Sequence, residues 1–435
     1  MASSARPIPE TRLPDRTVAI VSTHCTLRNW AEKRLYEPLV GRFRLHVVYW
    51  DRGGLLSPKG RQEADRYGIA IHEYRNPTWN LSQLVRYFGY IVSELDAIQA
   101  AGGLDYVVAC DPDVLPAIIW HRWTRGGRYR IYREEVDYYG GSRHHGRDLM
   151  ETTMRVTFDA IEALLHTQCD IVFTLNRHAA DRLRRWGVPE RKLVITGLWK
   201  KDEYFGADRE AHKRTLLERG VLTTDQYERL KGRVVVSFCG LFYQFTHLRE
   251  LLDSVAKFPN DVAIILAGKG KDQPLVEDYC RRYPNMMFFG WKDEDDIKEF
   301  YRITDIVYQP LNPDENINWK YFGSTNKTFE SLAAGCLFIG SAINERVDLN
   351  AQADFAVLLD FGRDLEAQLD ELFRSIIADR EVLRRKQRNA RVLYETYNHE
   401  NFKRIWLPLF EDGGPRRVPW PPATAGHSTT ARAGG

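Results

Sequence analysis

At 435 residues the chain exceeds what one ordinary hydrophobic core accommodates and fits two domains. Apolar residues make up 43% and charged residues 28%, which excludes a disordered or fibrous chain, and a formal charge of +3 supplies no strong field for nucleic acid or a membrane. The six cysteines (Cys25, Cys110, Cys169, Cys239, Cys280, Cys336) are scattered with no CxxC pair, which argues against a zinc site or disulfide framework and favours a reducing compartment. The opening "MASSARPIPETRLPDR" has no apolar h-region. No apolar run approaches the ~18 residues of a membrane span. A cytoplasmic protein without a transmembrane segment is expected, with peripheral membrane contact left open.

After a lead over 1–16, "TVAIVST" (17–23), "RLHVVYW" (44–50) and "GIAIHEY" (68–74) read as strands. From 81 onward, Leu81, Leu84, Val85, Phe88, Ile91, Val92, Leu95 and Ile98 recur at helical spacing on one face. "DYVVAC" and "RYRIYREEV" are further strands, followed by the helix "ETTMRVTFDAIEALLHTQ", the strand "CDIVFTL", the helix "RHAADRLRRWG" and the strand "KLVITGL". The stretch 199–232 is highly charged and lacks a strand signal, so it is expected to connect the domains, in part as helix. A second alternating series then runs through "RVVVSFCG", "LRELLDSVAKF", "DVAIILAG", "QPLVEDYCRRY", "MMFFG", "DEDDIKEFYRIT" and "DIVYQP". "FAVLLD" and a charged helical region from about Asp364 to Tyr397 close it, ahead of a Pro/Gly-rich tail at 413–435 that is expected to be disordered. Alternating strands and helices mean parallel βαβ units. The expected architecture is two doubly wound Rossmann-like α/β domains, 17–198 and 233–412, facing each other across a cleft that holds the ligands.

The segment "YFGSTNKTFESLAAGCLFIGS" (321–341) contains a single acid, Glu330. Gly323, Ser324, Thr325, Asn326 and Thr328 suit a turn and the start of a helix near Lys327. Free backbone N–H groups and the helix dipole there suit a phosphate, and Lys327 adds a full charge. Glu330 lies about one turn further on, where a carboxylate can accept two hydrogen bonds from ribose hydroxyls. The alternative is a capping box in which Glu330 reaches back to its own helix start.

In order and spacing, the stretch from about Arg233 to Gly340 resembles the donor-binding half of GT-B glycosyltransferases, particularly the retaining family 4 type. "VVVSFCGLF" resembles that family's first strand and Gly loop (Gly240), and "AIILAGKG" its second strand with a G-x-G turn (Gly268, Lys269, Gly270). "MMFFGWKDEDDIKEFYRITDIVYQP" resembles the nucleobase loop with the following helix and strand, and "NKTFESLAAG" the K-x-x-E helix. "CDIVFTLNRHAADRLRRWGVPERKLVITG" has the form of the last units of the N-terminal half. The resemblance implies that Glu330 holds the donor ribose, with Thr325, Asn326, Lys327 and Thr328 near its phosphates. Trp291 and Lys292 would lie near its base, and Gly268 and Lys269 would line the same cleft. Two departures stand out. The family's second acid, eight positions before Glu330, is Phe322 here. Its diphosphate-clamping Arg and Lys are missing from "GLFYQFTHLRE", which offers Leu241, with His247 and Arg249 the nearest cationic candidates.

The N-terminal domain is expected to bind the acceptor. His24, Arg28 and Asn29 follow the first strand. "YREEVDYYGGSRHHGRD" ends another and carries Glu134, Glu135, Asp137, Tyr138, His144 and His145. The resemblance puts an acidic or histidine group near the reacting carbon, so Asp137, Glu135 and His24 are the catalytic candidates. Asp111 and Asp113 suit helix capping better than metal binding, and no metal cofactor is expected. The implied reaction moves a hexose or related sugar from a nucleotide-diphosphate donor to an acceptor hydroxyl, with retention. The alternatives are a sugar-nucleotide epimerase on the same scaffold, and a non-catalytic glycosyltransferase-like partner suggested by Phe322 and Leu241. A dehydrogenase lacks its G-x-G-x-x-G, and a nucleic-acid binder its basic stripe.

Overall fold

The structure, a computed structural model, describes residues 16–24, 35–53, 56, 58–137, 149–243, 246–312, 319, 321 and 325–411. Arg28, Asn29, Tyr138, His144, His145, Phe322, Gly323, Ser324 and the 413–435 tail lie outside these residues.

In chain order the first half contains β1 (Thr17–Ser22), β2 (Arg44–Asp51), α1 (Pro58–Tyr67), β3 (Ala70–Arg75), α2 (Leu81–Gly102), β4 (Tyr106–Ala109), α3 (Leu115–Thr124), β5 (Arg130–Glu135), α4 (Leu149–Thr167), β6 (Ile171–Thr174), α5 (Arg177–Arg185) and β7 (Leu193–Ile195). Its sheet has the order β3-β2-β1-β4-β5-β6-β7, every pairing parallel. Successive residues of β1 and β4 are buried because helices cover both sheet faces.

The stretch expected as a connection folds as α6 (Arg209–Glu218) and α7 (Thr224–Leu230), whose Leu216 and Leu230 pack with Val235 and Ile265 of the second sheet. That second half contains β8 (Val234–Phe242), α8 (Leu248–Ala256), β9 (Val262–Gly270), α9 (Gln273–Arg282), β10 (Met286–Phe288), α10 (Glu294–Arg302), β11 (Ile306–Gln309), α11 (Asn326–Ala334), β12 (Leu337–Ser341), α12 (Asn344–Ala353), β13 (Ala356–Leu359), α13 (Leu365–Ala378), α14 (Arg380–Thr396) and α15 (His399–Glu411). Its sheet order is β10-β9-β8-β11-β12-β13, again parallel.

Two local expectations change. The G-x-G segment is no turn: β9 runs through it, pairing Gly268 with Gly240 and Lys269 with Leu241. A side chain at 268 is sterically excluded, since its Cβ would lie 1.9 Å from the Gly240 carbonyl oxygen. The charged helix after 364 is broken at Asp379, whose carboxylate accepts from the Glu381 N–H and starts α14 anew.

The halves are stitched together twice. Helix α15 lies on the first sheet, where the Tyr106 and Tyr132 hydroxyls donate to the Phe410 and Leu409 carbonyls at 2.6 Å each. Phe173, Trp406 and Phe410 pack there ring against ring, each burial contributing roughly 2–3 kcal/mol. Across the cleft, Asn176 caps α5 with its carbonyl and donates its amide to the Tyr321 carbonyl (2.9 Å) and to Glu345 (2.7 Å). Arg177 and His178 both reach Asp348. Among the described residues no helix is long and apolar enough to cross a membrane.

Candidate functional site

Both sheets reverse their strand order in the middle, between β1 and β4 and between β8 and β11. The crevices beyond those strand ends are where doubly wound sheets take ligands. Helix α11 starts beside the second crevice. Thr325 occupies its N-cap position in extended conformation, yet its side chain makes no capping bond. The hydroxyl donates instead to Gln309 Oε1 at the end of β11. Gly335, at φ 64°, ends the helix in the left-handed conformation that glycine adopts at low cost.

Glu330 is buried one turn into α11 and does not reach back to the helix start. Lys327 Nζ lies 3.0 Å from its Oε2, and Lys200 Nζ 3.3 Å from its Oε1. These contacts replace the capping box. Burial opposes a charge on Glu330, but the two ammonium groups overcome it and hold the carboxyl down at about 2. Burial also pulls the Lys200 ammonium below the ordinary lysine value, against the attraction of Glu330; for Lys327 the pull of Glu330 outweighs burial and raises it. One carboxylate thus sits between two enclosed cations.

The glycine pair of β8 and β9 frames this acid. A Cβ on Gly240 would stand 3.9 Å from Lys327 Cε, so the bare strand lies alongside the lysine stem. The Gly268 N–H donates to the Gly290 carbonyl at 2.8 Å, drawing the loop after β10 towards the tip of β9. Lys269 Nζ sits 4.4 Å from the centre of the Trp291 ring, which is 57% exposed and therefore open to a planar ligand. Lys292 turns the other way, 3.9 Å from Asp296 of α10.

The start of α11 is bordered by groups that the sequence did not reveal. Fully buried Arg346 of α12 donates to the Gln309 carbonyl (3.0 Å) and to Gln309 Oε1 (3.3 Å), the same oxygen that Thr325 uses. Burial pushes its guanidinium down to about 9. Asn326 Oδ1 and Thr328 Oγ1 are buried without a hydrogen-bond partner among the described residues. His247 is occupied with Glu250 at 3.1 Å, and Arg249 is exposed on α8. Near the start of α11 lie Lys327, Lys200 and Arg346, while Arg209 and Arg391 bind carbonyls at its other end.

In the first crevice His24 Nδ1 lies 3.1 Å from Ser22 Oγ and 3.4 Å from Asp111 Oδ2. Asp111, beyond the end of β4, does not cap the following turn as its sequence position suggests. It accepts from the Thr23 N–H (2.6 Å), the Thr23 hydroxyl (2.9 Å) and the Ser22 hydroxyl (2.8 Å). Although burial opposes its charge, His24 and these donors hold Asp111 well below the usual carboxylate range.

Glu135 lies at the end of β5. It is fully enclosed, with Arg182 Nη2 2.7 Å from Oε1, and Arg133 Nη2 at 3.1 Å and His166 Nε2 at 3.3 Å from Oε2. A carboxylate so enclosed presents no face to an acceptor. Its neighbours Asp159 and Glu162 are bound to the same Arg182. Burial and the Glu135 charge push Glu162 up to about 8, so it carries a proton at neutral pH. Glu135, Glu162 and His166 offer atoms within 4.8 Å of one another, a spacing that suits a metal ion. Two guanidinium groups already bind those acids, so the donor set fits a salt-bridged core better than a cation. Asp137 is exposed just past β5, at the cleft side of the strand end.

No family model matches the chain, and no curated protein matches it in sequence. Solved structures do match in fold. HepE of Anabaena, in complex with UDP-glucose, superposes with a TM-score of 0.67 over 91% of this chain and 100% of its own at 13% identity. Sucrose-phosphate synthase of Thermosynechococcus elongatus gives 0.66 over 91% and 98% at 14% identity. UDP-GlcNAc 2-epimerase of Neisseria meningitidis, bound to UDP-GlcNAc, gives 0.54 over 91% and 100% at 13% identity. The chain has the two-domain GT-B fold. At these identities the likeness defines the fold and leaves the activity to the site.

Proposed function

We propose that the protein is a metal-independent glycosyltransferase of the cytoplasm that moves a hexose or related sugar from a nucleotide diphosphate to an acceptor hydroxyl, with retention. The observation that carries this reading is Glu330, kept ionised in a buried site by Lys327 and Lys200 near the start of α11, where the N-cap side chain makes no capping bond. In this reading the carboxylate binds the ribose diol of the donor. The α11 N-terminus and Lys327 take the diphosphate, while buried Arg346 fixes from behind the Gln309 oxygen that anchors Thr325. Trp291, backed by Lys269, stacks on the base. UDP is the first nucleotide to test, because HepE and the epimerase were solved with uridine nucleotides.

Charge builds on the departing diphosphate in an oxocarbenium-like transition state, so cations fixed at that phosphate supply the main stabilisation. With retention, the leaving phosphate oxygen takes the acceptor proton on the same face. Asp137 and His24 are the acceptor-side groups at the strand ends, and Glu135 supports them from beneath by fixing Arg133, which donates to the Cys110 carbonyl at 2.9 Å. A second reading has one specific observation behind it. The His24–Asp111 pair is the arrangement of an oriented general base, which inversion requires.

The test is calorimetric titration with UDP and GDP sugars, then NMR of the product's anomeric centre across an acceptor panel. Transfer with the donor's configuration kept, and a loss in kcat of less than about tenfold in His24→Ala, is expected. Inverted product with a loss of about 100- to 10,000-fold in that variant would establish the base mechanism instead. A new sugar nucleotide formed without acceptor would establish the epimerase.

A further inference from the structure

Helix α4 is built inside out. Its sheet-facing side carries Asp159, Glu162 and His166, all buried. Its outward side carries Leu149, Met150, Met154, Phe158, Ile161 and Leu164, all exposed, with Leu149 at 84%. No exposed position on this helix bears a charge. A surface helix in water has the opposite arrangement, so this face, roughly 28 Å long for 19 residues, is made for contact with something apolar. The neighbouring helix α3 presents Trp120 and Trp123 to solvent as well, at 54% and 65%. Arg122 binds α3 to the end of α4 through the Gln168 carbonyl (2.6 Å) and Asp170 (3.0 Å), which sets the two outward faces side by side.

We propose that this face docks the protein on an anionic lipid bilayer, the apolar side chains of α4 and the two tryptophans entering the headgroup boundary. The surrounding charges select this occupant. Arg128, Arg155 and Arg185 have no carboxylate partner among the described residues. Arg155 and Arg185 line a cavity of about 350 Å³ beside Val156 and Trp186. A second copy of the chain would bring the same arginines and no free acid to meet them. The nearby Asp96, Asp170 and Asp181 are already paired with Arg125, Arg122 and Arg184. Lipid phosphates supply the missing negative charge, and tryptophan suits the interface between headgroup and acyl chain.

Co-sedimentation tests this without any sugar nucleotide, so its outcome is independent of the proposed activity. Vesicles of phosphatidylcholine alone are compared with vesicles containing about one-third phosphatidylglycerol. Wild type is expected in the pellet with the anionic vesicles and to be released at high salt. Ile161→Asp/Leu164→Asp is expected to partition about 100-fold less, each aliphatic side chain contributing about tenfold. Circular dichroism checks that its fold is kept. Should that variant unfold, Arg155→Glu/Arg185→Glu replaces it, with the same loss expected on anionic vesicles alone. Wild type in the supernatant with both vesicles, or a folded variant that binds as well as wild type, overturns the proposal. So does a wild-type dimer, by light scattering, that the α4 variant splits and that ignores lipid.

Discussion

Replacing Glu330 with glutamine keeps the shape of the side chain and removes the charge that Lys327 and Lys200 share. In the folded protein that carboxyl titrates near 2 rather than 4.5, a difference worth about 3 kcal/mol of stability at neutral pH. The folded-state value is depressed, so this stability is present above the unfolded value and is lost as pH falls towards 2. At about pH 3.5, about 2 kcal/mol should remain. The variant has no such titration. Urea unfolding of wild type and Glu330→Gln across this range should therefore show a gap of about 3 kcal/mol at pH 7 that shrinks on acidification. Nucleotide affinity should fall in parallel, since a hydrogen bond to a charged group contributes about 1.5–3 kcal/mol and the amide has lost the charge. A gap that stays constant with pH, or a variant as stable as wild type with unchanged affinity, would refute the idea that this acid is a charged hub.

Glu162 acts in the opposite direction. Its folded-state value is raised to about 8, so its contribution is complete below the unfolded value and disappears as pH rises through 8. Between pH 7 and 9 the protein should lose about 1 kcal/mol by urea unfolding, and Glu162→Gln should flatten that slope. Gly268→Ala should cost about 1–3 kcal/mol and weaken nucleotide binding, because the new methyl group would push β8 and β9 apart at the Gly240 carbonyl. Gly89→Ala, in α2 with nothing within 4 Å of the added carbon, is the control and should change stability by less than about 1 kcal/mol.

The architecture was legible because its signal is local and repeated. Short β-branched runs such as Val18–Val21 and Val234–Val236 alternate with amphipathic helices, and each unit can be read by itself. Lys327 and Glu330 were legible for the same reason, lying within one helical turn. Lys200 was not, since it opens a charged stretch that looks like a connection and its partner lies far along the chain. Arg346 was hidden by an ordinary polar helix and acquires meaning only through Gln309. Asp111 has the position of a cap, but the register of β1 against β4 brings Thr23 and Ser22 to it first. The enclosure of Glu135 depends on Arg182, from a helix three elements later. In each case the missing information was a long-range partner, which residue type and spacing do not encode.

Lys200 also forms an isolated bridge with Asn398, and its carbonyl accepts from the His399 N–H and the Tyr394 hydroxyl at 3.1 Å each. The chain crosses between its halves at these two points, so the residue whose ammonium meets Glu330 also sits at the crossing. Any rotation of one half against the other changes how Lys200 shares that carboxylate. Under the proposed function, reciprocity then requires that a ribose taking over the carboxylate and a change in the angle between the halves bias one another.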